Sequence, residues 1–217
     1  MTRLSDRHGV ASLLCLVLGL AASEATGIGL GERAHGPQAA SRETLSTVEA
    51  AAAVGRQAAE LVLSIKDQDL RAIRQRIHPV AGLRFSPYAF VSDTDLVFSR
   101  DTFPAEFTAV IHEWGTYDGR GNPIRLSFAD YWRHFVYSHS YEDAPMVGYN
   151  HTIGTGNTPN NAASAYPGSI RVEYHFPNTR EYPNTWETLN WGSLRLVFLQ
   201  YEGEWFLAGI IHDQWTI

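Results

Sequence analysis

Cysteine is nearly absent from this 217-residue chain: Cys15 is the only one, and Lys66 is the only lysine among 17 basic residues. A single thiol forms no intrachain disulfide, so stability must come from a packed core. Basic runs are missing as well, and with a formal net charge of −6 the chain lacks the electrostatic footprint of a nucleic-acid partner. Long apolar runs are missing too. The stretch Val10–Ala22 is 13 residues, well short of the roughly 20 needed to span a bilayer. Aromatic side chains are absent from residues 1–84, and all 26 of them lie between Phe85 and Trp215. What is present is enough for a globular core, since 44% of residues are hydrophobic and 18% charged.

The N-terminus reads as an address. Arg3, Arg7 and His8 precede the apolar run, and Ser23-Glu24-Ala25 supplies small residues at the −3 and −1 positions of a cleavage site. Residues 1–25 are therefore expected to be a secretory signal peptide, which places the mature protein in the periplasm or outside the cell, without a membrane span. Its removal also removes Cys15, leaving no thiol for catalysis. Residues 26–44, rich in Gly, Ala and polar side chains, read as a flexible linker, and 45–217 as a single folded domain.

Ser46 and Glu49 have capping-box spacing at the head of an Ala-rich stretch, and Val48, Ala51, Ala52, Ala58, Ala59, Val62 and Ile65 supply an apolar stripe near helical period. A second helix is expected from Asp67 or Asp69, with Leu70, Ile73 and Ile77 on one face, ending near His78 because Pro79 follows. His78 then reads as a cation at a helix C-terminus. From Phe85 the pattern becomes β-prone. Strands are expected at Asp95–Phe98 and Glu113–Tyr117, a hairpin turn at Asp118–Pro123, a short helix capped by Ser127, and a loop over 145–163 that ends in a short helix before Pro167. Ile170–Phe176 alternates strictly, while Ser193–Tyr201 and Trp205–Ile211 are apolar on both faces and joined by Glu202-Gly203-Glu204. Helices followed by a strand meander define an α+β fold, a curved antiparallel sheet packed on N-terminal helices.

The helix pair running through Asp67-Gln68-Asp69-Leu70 to Ile77-His78-Pro79, together with the terminal hairpin Leu194–Phe198/Trp205–Ile210, resembles NTF2-like (cystatin-like cone) domains. The segments Arg84-Phe85-Ser86-Pro87-Tyr88, Trp114–Gly119, Gly148-Tyr149-Asn150, Gly154–Thr158, Val172–Pro177 and Ile210–Ile217 are similar to an uncharacterised family of exported bacterial proteins. That resemblance implies fold and export, and no mechanism.

Glu173 and His175 share a strand face about 7 Å apart by the two-residue repeat. Arg195, with His212 or Asp213, sits on strands that could adjoin them, and Arg84 with Tyr88 could bracket a pocket. If that face lines the mouth of a cone, these seven residues are the candidate ligand contacts. The expected role is non-enzymatic binding of a small molecule or a protein partner in the concave face of the sheet. The alternative is a cofactor-independent acid–base enzyme (lyase, isomerase or hydrolase) using Glu173, His175 or Asp213. The plainer reading is a structural ion pair between Arg195 and Glu173. The clustered aromatics also admit stacking on ligands or a homodimer face.

No metal or cofactor is expected. His134 and His139 are five apart, His112-Glu113 lacks a second histidine at zincin spacing, and Ala129 stands where a calcium loop starting at Asp118 needs Glu. The Gly154–Asn157 loop offers backbone donors to an anion but lacks the Lys-Ser/Thr of a P-loop.

Overall fold

Ser46 starts the first helix. Its hydroxyl accepts the backbone N–H of Glu49, and the Glu49 carboxylate accepts the backbone N–H of Ser46 at 3.0 Å, closing the capping box read from the sequence. The structure is a computed structural model that describes residues 45–177 and 191–216, all within the compact unit Ser41–Ile217. The expected signal peptide (1–25) and linker (26–44) lie outside the described residues.

Helix α1 spans Thr47–Lys66 and α2 spans Leu70–Arg76, the latter capped by Asp69 through Ala72 N–H. Leu70, Ile73 and Ile77 are buried as expected, but the α1 stripe is rotated in its first half. Ala50 and Val54 face the core there, and Val48 is 78% exposed. In so Ala-rich a segment several faces look equally apolar, so tertiary contacts decide. His78 is also not the expected cation. Its Nδ1 accepts from Val80 N–H (3.2 Å) and Ala81 N–H (2.9 Å), and burial lowers its pKa, so a neutral ring closes the turn after the helix.

The strands are β1 (Leu83–Ser86), β2 (Leu96–Phe98), β3 (Ile111–Thr116), β4 (Pro123–Ser127), β5 (Met146–Tyr149), β6 (Ile170–Phe176), β7 (Gly192–Tyr201) and β8 (Glu204–Gln214). Helix α3 (Phe128–Tyr131) continues as a π-helical turn at Trp132–Val136, and α4 covers Ala162–Ala165. The main sheet has the order β2-β1-β8-β7-β6-β5, and β3-β4 forms a separate hairpin. This is the expected α+β class with a curved sheet. Two features differ from the antiparallel meander read from the sequence. β1 runs parallel to β8, and β5 occupies part of the segment expected to be a loop. Between β7 and β8, Glu202 (φ 50°) and Gly203 (φ 87°) form a two-residue turn with both dihedrals positive, the geometry that matches strand twist.

The sheet has two unlike faces. Val172, Tyr174, Leu194, Leu196 and Ile210 point into the core that also contains the buried residues of α1 and α2. This core continues into an aromatic cluster around Phe85, where Trp114 and Tyr131 stack at 3.9 Å. The opposite face carries Val197 and Ile211, covered by Val91, Ala162 and Tyr166. Among the described residues, no helix is long and apolar enough to cross a membrane.

Candidate ligand-binding site

Strand register decides which of the seven candidate residues meet. Glu173 pairs with Arg195, which pairs with Ile211. Two residues along, His175 pairs with Ser193, which pairs with Asp213. Glu173, His175, Arg195 and Asp213 therefore share the face away from α1 and α2. His212, the alternative neighbour, points the other way, opposite Leu194 and against Phe135 at 5.5 Å. The cause is a bulge. From the turn, Tyr201↔Glu204 through Phe198↔Leu207 count evenly, but Val197 pairs with Gly209, leaving Ala208 extra. Had the register set at the turn continued, His212 would lie opposite Ser193 and share the face of Arg195, because a one-residue slip exchanges the faces of a strand.

The four residues form a buried polar network. Glu173, Arg195 and Asp213 are each 2% exposed. Arg195 Nη2 lies 2.8 Å from Asp213 Oδ2 and 3.2 Å from Glu173 Oε1, and it also donates to the Gly154 carbonyl at 2.9 Å. Glu173 Oε1 accepts from Ser193 Oγ (2.7 Å) and Gly154 N–H (2.9 Å), and Oε2 accepts from Ile153 N–H (2.9 Å). The anion cradle that the glycine-rich loop suggested does exist, and it holds an internal carboxylate. Gly154 is needed for this close approach, since a Cβ there would stand 2.5 Å from Ser193 Oγ and 2.8 Å from His175 Nδ1. The Ser193 proton goes to Glu173, so His175 Nδ1–H donates to Ser193 Oγ at 2.8 Å.

The two carboxylates fare differently. Burial pushes Glu173 up, but Arg195 and its hydrogen-bond donors outweigh that and hold its pKa below the usual range. For Asp213 burial wins over Arg195, and its pKa is pushed up to about 6. The geometry agrees: among the described residues Asp213 Oδ1 is buried with no hydrogen-bond partner, and so is Arg195 Nη1. Arg195 Nε is 3.1 Å from Glu173 Oε2 but poorly aligned for a hydrogen bond. His212 Nδ1–H donates to the Pro87 carbonyl at 3.0 Å and its Nε2 faces Ser138 Oγ at 3.3 Å, while burial drives its pKa down to about 4. It is a neutral core histidine.

Asp213 lines a chamber of about 200 Å³ together with Thr152, Gly154, Thr155, Asn157 and Thr158. Thr158 and Pro159 also line a second, larger cleft of about 470 Å³, which contains Tyr88, Phe90, Asp95, Tyr117 and Asp118. That volume falls within the range of small-molecule sites. Asp118 Oδ2 accepts from the Thr158 hydroxyl and from Thr216 Oγ1 (2.7 Å), and these two hydroxyls lower its pKa. Asp95 is 6% exposed. It accepts from Ser86 Oγ at 2.6 Å and Ser92 N–H at 2.9 Å, and burial raises its pKa. Burial likewise raises the pKa of Tyr88, whose ring meets Phe135 at 5.8 Å. Arg84 does not bracket this cleft with Tyr88. It shares the sheet face of Ser86, and its Nη1 donates to the Ser92 carbonyl. From the sequence Asp95 reads only as the start of a strand and Asp118 only as the start of a turn, because no periodicity marks either as lining a cleft. Among the described residues, no group of three or more His, Cys, Asp or Glu is arranged to hold a metal.

No protein-family model matches the chain, and no curated protein is similar to it in sequence. One solved structure, titled as a variant of Rd1NTF2_05, aligns with 74% of this chain and 96% of its own at 13% identity, with a TM-score of 0.29. So shallow a superposition carries no argument, and the α+β class rests on the elements described above.

Proposed function

We propose that the chain is an exported NTF2-like domain that binds a small ligand on the sheet face away from α1 and α2, in the cleft beside Tyr88 and Tyr117 and the adjoining chamber beside Asp213. The observation that carries this reading is the Asp213 carboxylate: it lines a chamber, it is buried, and one of its oxygens has no hydrogen-bond partner among the described residues. A native structure tolerates such a group at a cost unless something supplies the missing donor. The NTF2-like assignment is supported by the order of elements, two helices followed by the sheet they pack on, together with the sequence resemblance. Export is supported by the N-terminal sequence alone.

Binding is better supported than acid–base turnover. Both Glu173 oxygens are already taken by backbone, serine and arginine donors, and His175 Nδ1 is held by Ser193, so Glu173 is not free to exchange a proton with a substrate.

Native mass spectrometry of the protein purified from its host tests this. The expected spectrum begins at Thr26 and carries a noncovalent adduct on the wild type that is reduced in Tyr117→Leu and Asp213→Asn. Tyr117 is 38% exposed, so its loss leaves the fold intact. An adduct retained equally by all three proteins, or by none, contradicts the proposal.

A further inference from the structure

We propose that the ligand is a quaternary ammonium compound, its methylated cationic head held in the larger cleft by the rings of Tyr88, Phe90 and Tyr117 and the charge of Asp118. This rests on the ligand-site reading above and names the chemical class, with every contact confined to that cleft.

Exposed rings come first. Among the described Phe, Tyr and Trp residues, the exposed ones are Phe90 (49%), Tyr117 (38%) and Trp215 (41%), and two of these three line this one cleft. Tyr88, half-buried, lines it too and stands close to Asp118 and Tyr117, both of which act on its hydroxyl. An aromatic face open to water attracts a cation and covers its hydrocarbon. Charge comes next. Asp118 is half-buried, and hydrogen bonds from the Thr158 and Thr216 hydroxyls and Gly119 N–H keep it ionised. None of the described ion pairs includes Asp118. No basic side chain is among the described lining residues, and Arg120, two positions along the same turn, is exposed and outside the lining. Asp95, by contrast, has Arg84 to offset it, since Arg84 Nη1 reaches the Asp95 carbonyl at 3.5 Å. The cleft therefore carries one negative charge without a partner, which favours a cation and disfavours an anion.

Hydrogen bonding selects the kind of cation. Asp118 already receives three donors, and the Thr158 hydroxyl is spent on it. The Ser92 and Thr94 hydroxyls bond to each other at 2.9 Å. A primary ammonium brings three N–H donors, each of which costs free energy if it leaves water without a new acceptor. A quaternary head carries the same charge and has no N–H to satisfy. Metal ions such as calcium take six to eight oxygen ligands, and rings supply none. The cleft holds about 470 Å³, room for the head and a short chain attached to it.

Isothermal titration calorimetry near neutral pH tests the assignment, with choline chloride, its uncharged carbon isostere neohexyl alcohol, and protonated ethanolamine, which has the charge but keeps its N–H donors. Choline is expected to bind the wild type at least about tenfold more tightly than either, the scale of a cation–ring attraction in a partly dry site. Asp118→Asn, which keeps an oxygen for Thr158 and Thr216, is expected to weaken choline about tenfold. Phe90→Ala and Tyr117→Leu, both surface changes, are each expected to weaken it severalfold. Equal binding of neohexyl alcohol or of ethanolamine, undiminished choline affinity in Asp118→Asn or in both ring variants, or no binding of choline to the wild type overturns the assignment. If choline fails while the purified wild type still carries an adduct that Tyr117→Leu and Asp213→Asn lose, the quaternary ammonium class is wrong and the ligand site stands. If no adduct distinguishes those proteins either, both fall.

Discussion

Arg195→Ala is expected to lower the unfolding free energy by about 3–5 kcal/mol, the scale seen when one partner of a buried ion pair is removed. The guanidinium is the only cation within reach of both Glu173 and Asp213 among the described ion pairs, and all three residues are 2% exposed. Without it, two carboxylates face each other across a dry sheet surface, and the Gly154 carbonyl loses its donor. The loop over Glu173 loosens with it, because Ile153 and Gly154 are held by the carboxylate that Arg195 neutralises. Chemical denaturation followed by tryptophan fluorescence measures the change. A cost below about 1 kcal/mol, the range of exposed pairs, would show that the network is not what holds this face together.

Phe85→Ala is the second large effect, again about 3–5 kcal/mol, as for a buried phenylalanine whose cavity only partly collapses. Phe85 is 0% exposed and meets Phe98, Phe103, Trp114, Phe128 and Tyr131 with ring centroids between 5.7 and 6.4 Å. It belongs to β1, while Trp114 belongs to β3 and Phe128 to α3, so its ring, beside that of Phe98 in β2, joins the main sheet to the separate hairpin and its following helix. The same denaturation experiment is expected to show a lower midpoint, with near-ultraviolet circular dichroism from Trp114 reduced in the folded state. An unchanged midpoint would mean that the hairpin is held by something else.

What the sequence made legible was local. The Ser46/Glu49 cap, the start of the second helix at Asp67 or Asp69, the alternation of β6 and the tight hairpin at Glu202-Gly203-Glu204 each depend on neighbours a few positions away. The pairing of Glu173 with Arg195 could be read because both lie on well-marked antiparallel strands. The choice between His212 and Asp213 could not, because it turns on the single extra residue between the Val197 and Phe198 pairings, which no composition signal announces. β5 was hidden because Met146–Tyr149 is a four-residue edge strand containing Gly148 and preceded by Pro145, the composition of a loop. The parallel contact of β1 with β8 joins residues more than 100 positions apart, beyond any periodicity. The cleft is assembled from three separate segments, and of its lining only Tyr88 stood out in the sequence as a pocket residue.

Asp213 is a buried carboxylate short of a partner among the described residues, and its pH-linked stability tests that most directly. Its pKa is about 6 in the folded protein against an ordinary 3.8, so between those values the folded state holds more protons than the unfolded one. Stability from this group is therefore full below about pH 4 and falls as pH rises to about 6, by up to about 3 kcal/mol. His212, depressed to about 4, works in the opposite direction over nearly the same range, as do His78 and His175, so the wild-type curve alone is ambiguous. The difference between Asp213→Asn and wild type cancels the histidines. Measured by denaturation at steps from about pH 4 to 7, the difference is expected to move in favour of Asp213→Asn as pH rises and to level off above about 6.5. A difference that stays flat, or that moves in favour of the wild type, would mean that Asp213 is fully compensated by Arg195 and would remove the basis for a ligand beside it.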